Sequence, residues 1–158
     1  MALSLESAAK VRQKTRQLSR NPAVFYALKS FFAYHSQRGN DDLQLVFLDD
    51  ADLTGTDGVV AADAACTLYF VFLRKRGTAT DSYLKFYNDA TDDATAANER
   101  LTVATLEASE DHVALFPQGM TFATGIVATS HTTSNGTTDS TAGDSGDGFI
   151  IIGASGTN

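Results

Sequence analysis

A chain of 158 residues with 43% apolar side chains, ten Phe and five Tyr has the length and aromatic content of one domain with a real core, which excludes wholesale disorder. Its longest uninterrupted apolar run, Leu68 to Leu73, is far too short for a membrane-spanning helix, and the lone Cys66 excludes an internal disulfide framework or a thiolate zinc cluster. The net charge of −7 conceals an asymmetry: residues 1–40 carry seven basic side chains against Glu6 alone (+6), and residues 41–158 carry five against eighteen acidic ones (−13).

At the N-terminus Glu6 and the lack of an apolar stretch predict no secretory signal, and with a single thiol the chain is expected to fold in a reducing cytoplasm. Ser4 or Ser7 can cap a first helix running to about Ser19, with Glu6 in its first turn. The apolar stripe of that helix is thin, and Arg12, Arg16 and Arg20 recur every four residues as one cationic row. Like charges at this spacing weaken an isolated helix, so the row asks for an acidic partner. Asn21-Pro22 then marks a second helix start, with Asn as cap and Pro at the first helical position.

The second helix is predicted from Pro22 to Gln37, ended by Gly39. Ten of the twelve residues 23–34 are apolar or aromatic, and Phe25, Tyr26 and Tyr34 widen the face of Val24, Leu28, Phe31 and Phe32 beyond an ordinary stripe. Such a helix docks on something large, either its own β body or a neighbouring subunit. Together the two helices form a basic arm over residues 1–40, with Arg12, Arg16, Arg20, Phe25, Phe31 and Phe32 as the residues expected to meet a partner.

Residues 41–158 read as an acidic β domain. Strands are predicted at Leu43–Leu48, Thr67–Leu73, Tyr83–Tyr87 and Leu101–Leu106, with an irregular connection from Gly55 to Ala65 and a polar loop from Asn88 to Asn98. From Val113 to Ala128 the period is two, with Met120, Phe122, Ile126 and Ala128 on one parity; Phe149–Ile152 is apolar on both parities, as in a strand covered on both faces. These last two segments are expected to be the arms of one long hairpin whose Thr-, Ser-, Gly- and Asp-rich tip, 129–147, projects from the body. Six or seven strands at this spacing predict a mainly β fold, an antiparallel β-sandwich or jelly-roll-like body with an N-terminal α-helical arm.

Chemistry is hard to assemble from these residues. Gly143-Asp144-Ser145-Gly146 matches the nucleophile signature of chymotrypsin-like proteases, but His112 and His131 lack the sequence context of the required base, and the chain is too short for a double barrel. Asp139, Asp144 and Asp147, or Asp89, Asp92 and Asp93, could gather calcium, yet neither run has the alternating spacing of a calcium loop. No cofactor, metal or catalytic residue is expected. The basic arm could meet nucleic acid, but it lacks interleaved aromatics in its first basic run and the −13 body would repel a duplex, which favours docking on a sibling subunit.

Two segments carry a resemblance. Lys85-Phe86-Tyr87-Asn88-Asp89-Ala90-Thr91 and Phe116-Pro117-Gln118-Gly119-Met120-Thr121-Phe122-Ala123-Thr124-Gly125-Ile126 resemble small virion proteins of tailed bacteriophages. Those proteins share a Y-(N/D)-x-A-T segment, an F-x-x-G-(hydrophobic)-x-F-x-x-G-(hydrophobic) segment, a Thr/Asp-rich loop and a last strand. The likeness spans roughly residues 67–154; the chain departs from it by ending in Gly-Ala-Ser-Gly-Thr-Asn where an aromatic often closes the last strand. The resemblance implies a β-sandwich subunit of the particle, either head decoration (cement) or a tail or neck component, in which Gly119 and Gly125 serve as turn or bulge glycines. The resulting expectation is a homo-oligomeric structural protein without enzymatic activity, assembled in the host cytoplasm into the virion, partnered by the major capsid protein or other virion subunits, and not by membrane. A free-standing carbohydrate-binding module is the alternative, against which stands the absence of any Trp to stack on a sugar.

Overall fold

A computed structural model describes residues 22–38, 43–49, 53, 59–74, 82–91, 98–105, 111–131 and 147–154. Among the described residues one helix, α1 (Pro22–Arg38), precedes eight strands: β1 (Leu43–Leu48), β2 (Val59–Ala62), β3 (Cys66–Arg74), β4 (Ser82–Tyr87), β5 (Glu99–Thr105), β6 (Asp111–Phe122), β7 (Ile126–His131) and β8 (Asp147–Ala154). They form two four-stranded sheets, β1-β8-β3-β6 and β2-β7-β4-β5, antiparallel at every pairing. The first helix expected over residues 4–19, with Arg12, Arg16 and Arg20, lies outside the described residues, as does most of the tip.

Side-chain alternation builds two apolar layers. Leu68, Val71, Leu73, Ile150 and Ile152 of the first sheet meet Leu84, Phe86, Ile126 and Ala128 of the second in one shared core, which makes the arrangement sandwich-like. The opposite face of the first sheet presents Leu43, Leu45, Phe70, Phe72, Phe149 and Ile151 to the helix. Pro22 opens α1, and Val24, Leu28, Phe31 and Phe32 (positions i, i+4, i+7 and i+8) form the stripe that closes this second layer. β3 and β8 are therefore covered on both sides, as their unbroken apolar runs predict.

Strict alternation fails inside β3. Leu68 is opposite Ile152 of β8, but Phe70 is opposite Ile151, so Tyr69 is one residue in excess. The bulge reverses the parity of the strand: Cys66 and Leu68 face the inter-sheet core before it, and Val71 and Leu73 after it. Tyr69, Phe70 and Phe72 consequently all face the helix.

The expected long hairpin does not form. β6 belongs to the first sheet and β7 to the second, while β8 pairs with β1 and β3 and not with β7. The chain changes sheets at Ala123–Gly125, where a Cβ on Gly125 would strike the carbonyl oxygen of Ala62 and stand 2.6 Å from that of Asp89. Turning this corner keeps the inward side inward, so Phe122, Ile126 and Ala128 still share one core, as their common parity predicts. Residues 132–146 therefore link strands of different sheets. β2, expected as irregular connection, is a four-residue strand on the edge of the second sheet.

Candidate functional site

Among the described residues a group of titratable side chains lies on the face of the second sheet turned away from the shared core. Leu84 and Phe86 point into that core, so Tyr83, Lys85 and Tyr87 point the other way. Register sets Lys85 between Thr102 of β5 and Thr129 of β7, and Tyr83 opposite His131. Lys85 Nζ donates to Glu99 Oε2 at 2.9 Å, and the Thr102 hydroxyl donates to Glu99 Oε1. Tyr87 OH and Thr129 Oγ1 both converge on His131 Nε2, at 3.1 and 2.6 Å.

Burial is deep here: Lys85 is 3% exposed, Thr129 2% and His131 4%. Burial pushes the Glu99 carboxyl up, but the Thr102 hydroxyl, the Lys85 ammonium and the field of His131 outweigh it and hold Glu99 below the usual carboxylate range. Each oxygen of Glu99 has a donor, and His131 Nε2 meets two hydroxyls. Chemically the set is a hydrogen-bonded network stitching three strands together, which favours a fixed sheet over proton transfer to a substrate.

Of the residues singled out in the sequence, His131 belongs to this network, while Phe31, Phe32 and Asp89 do not. Phe31 and Phe32, expected to meet a partner, are 2% and 1% exposed inside their own chain; the Phe31 ring lies 6.0 Å from Tyr69 and 6.4 Å from Phe70. Their surface is taken up by the first sheet, which is large enough to cover the helix stripe. Phe25 lies on α1 with its side chain outside the described residues, as are Ser145, Asp139, Asp144, Asp92 and Asp93. Asp89 is engaged in its own turn: Oδ1 accepts from the Thr91 amide and hydroxyl, both at 2.9 Å, and Oδ2 from Asn98 Nδ2 at 3.0 Å. The Thr91 amide is the leading reason its carboxyl sits below the ordinary value. Among the described residues no three His, Cys, Asp or Glu side chains gather as metal ligands.

At the other sheet, Arg74 forks onto Asp111 with Nε at 2.6 Å and Nη2 at 3.0 Å while its guanidinium lies over the Phe72 ring. Asp147 is its register partner on β8. The sequence reading missed Phe47, which ends a row on the helix-side face running Phe47, Phe149, Phe72, Val113 across all four strands. Phe149 and Phe72 are buried, but Phe47 is 58% exposed. The signal was its parity with Leu43 and Leu45 on a strand that sits at a sheet edge.

No family model matches the chain, and comparison with curated proteins and with solved structures gives no match to either.

Proposed function

We propose that this chain is a non-enzymatic structural subunit of a tailed-phage virion, most concretely a head-decoration (cement) protein that clamps neighbouring capsid subunits, with a tail or neck position as the alternative. The observation that carries the reading is the strand order, β1-β8-β3-β6 against β2-β7-β4-β5. That order supports a jelly roll, the double-sheet architecture of viral capsid and lectin domains. Fold does not name a function; the particle comes from the resemblance of residues 67–154 to small phage virion proteins. The residues of that resemblance have packing work: Phe122 is buried in the core, Asp89 caps a turn, and Gly119 and Gly125 sit where a side chain would clash. The +6 of residues 1–40 against the −13 of the remainder supports docking of a basic arm on an acidic neighbour.

The test is mass spectrometry of gradient-purified particles from cells that produce the protein, with copy number from band intensity and immunogold labelling to separate head from tail. A stoichiometric band with label on heads is the expected result. Absence from particles, together with saturable binding on a glycan array, selects the lectin-like reading.

A further inference from the structure

We propose that the open edge of β1 is a docking site for an extended protein segment that adds to the first sheet as a fifth strand, and that the segment is apolar in its centre with Lys or Arg at both ends. This goes beyond the structural-subunit reading and does not depend on the particle being a virion. β1 pairs with β8 on one side and has no hydrogen-bonded neighbour on the other among the described residues. An open edge presents unpaired backbone donors and acceptors, and proteins ordinarily blunt it by shortness, charge, proline or a bulge.

The other three edges each carry such a device. β2 has four residues and a register shift between Val60 and Ala62. β5 carries Glu99 and Arg100. β6 holds Pro117, followed by Gly119 at φ +78° where its register to β3 breaks. β1, Leu-Gln-Leu-Val-Phe-Leu, has none: six residues, no charge, no proline, and an unbroken register to β8 from Leu43 to Leu48. Its Leu43, Leu45 and Leu48 are buried, so the strand is held firmly, while Phe47 stands 58% exposed at the end of the row it shares with buried Phe149 and Phe72. A strand added beside β1 covers Phe47 and extends that row.

Charge selects the occupant. In the sequence Asp41 and Asp42 stand before β1 and Asp49 and Asp50 after it. Antiparallel pairing of β1 with β1 of a second copy must match helix-side residues with helix-side residues, Leu43 or Leu45 against Phe47. In that register the acidic sequence before β1 in one copy runs against the acidic sequence after β1 in the other. Like charges oppose that pairing, and a strand flanked by cations is complementary in charge at both ends.

The probe is a synthetic peptide of alternating Val and Thr with two Lys at each end, compared with the same peptide carrying Glu at the ends. The readout is hydrogen–deuterium exchange of the full chain. We expect the Lys-ended peptide to slow exchange in residues 43–48 and the Glu-ended one to bind about tenfold more weakly, the equivalent of a few exposed charge pairs. Phe47→Ala, a surface change, should weaken binding severalfold with an unchanged circular dichroism spectrum. If neither peptide protects 43–48, or both do so equally, the proposal is overturned. It is likewise overturned if the chain alone shows protection of 43–48 that rises with its own concentration, because a second copy is then the occupant.

Discussion

The Tyr69 ring lies over Gly119: a Cβ built on Gly119 would stand 2.8 Å from Tyr69 Cε1 and would also run into Thr67 Cγ2. The backbone at Gly119 has φ +78°, a conformation that costs an L side chain about 1–2 kcal/mol before any clash. Adding the overpacking, Gly119→Ala should destabilise by about 3 kcal/mol, or roughly 9 °C in Tm for a chain of this size. A double-mutant cycle with Tyr69→Ala should recover part of the loss, since the ring clash goes and the φ and Thr67 terms stay. A change within about 0.5 kcal/mol for Gly119→Ala alone would mean that the register break of β6 does not need glycine.

Helix docking gives a second test. Phe31 and Phe32 meet edge to face, with centroids 5.1 Å apart, in the layer between α1 and the first sheet. Truncating either to Ala should cost about 3–4 kcal/mol of unfolding free energy. Tyr26, 63% exposed on the same helix, should lose less than about 1 kcal/mol on the same change. Urea midpoints measure all three. Equal, small effects at all three positions would detach the helix from the fold and return Phe31 and Phe32 to a partner surface.

What was legible in the sequence follows from which signals are local. Helix α1 announces itself by Asn21-Pro22 and by Val24, Leu28, Phe31 and Phe32 at helical spacing, and β1 and β4 fall within a residue of their predicted spans. The doubly covered faces of β3 and β8 were readable from their unbroken apolar runs. Tyr69 was not readable as a bulge, because an extra residue in an all-apolar strand leaves the pattern looking intact. The sheet change at Ala123–Gly125 was hidden for a related reason: a corner that keeps one side inward preserves period two across the turn. β2 fell below the length at which alternation can be seen. The Lys85, Glu99 and His131 network draws on three strands separated by 14 and 32 residues in the sequence, and only sheet register brings them together.

That network fixes a pH dependence. Glu99 is held below its ordinary value in the folded chain, so its carboxylate form binds the fold more strongly than its acid form. The stabilisation is complete above the unfolded-state value of about 4.3 and is lost as pH falls through the lower folded value. Glu99→Gln keeps the shape and removes the charge; it should cost about 2 kcal/mol at neutral pH, in the range of a charged hydrogen bond. The gap to wild type should close as the pH falls below the unfolded-state value and through the lower folded one. Asp89, also held low by its turn, contributes to the acid slope in both proteins, so the difference between the two curves is the quantity to follow. A gap that stays constant with pH would show that Glu99 acts by packing alone.

Cys66 offers a clock for the whole fold. It is 0% exposed at the start of β3, in the core shared by the two sheets, opposite Phe122 on β6 and Ala154 on β8. Burial pushes its thiol up to about 12, because no charge or donor there favours the thiolate. At pH 8 only on the order of one thiol in ten thousand is then ionised, and the reactive species has no path to reagent without opening the sandwich. Modification by a disulfide reagent should therefore be silent in the native chain and proceed at the rate of global opening in moderate urea. Gly119→Ala should accelerate it in proportion to its loss of stability, while Phe47→Ala, on the exposed edge, should leave it unchanged. Rapid labelling of Cys66 in the native protein, with the Gly119 variant no faster, would mean that β3 opens locally and that the two sheets do not unfold as one unit.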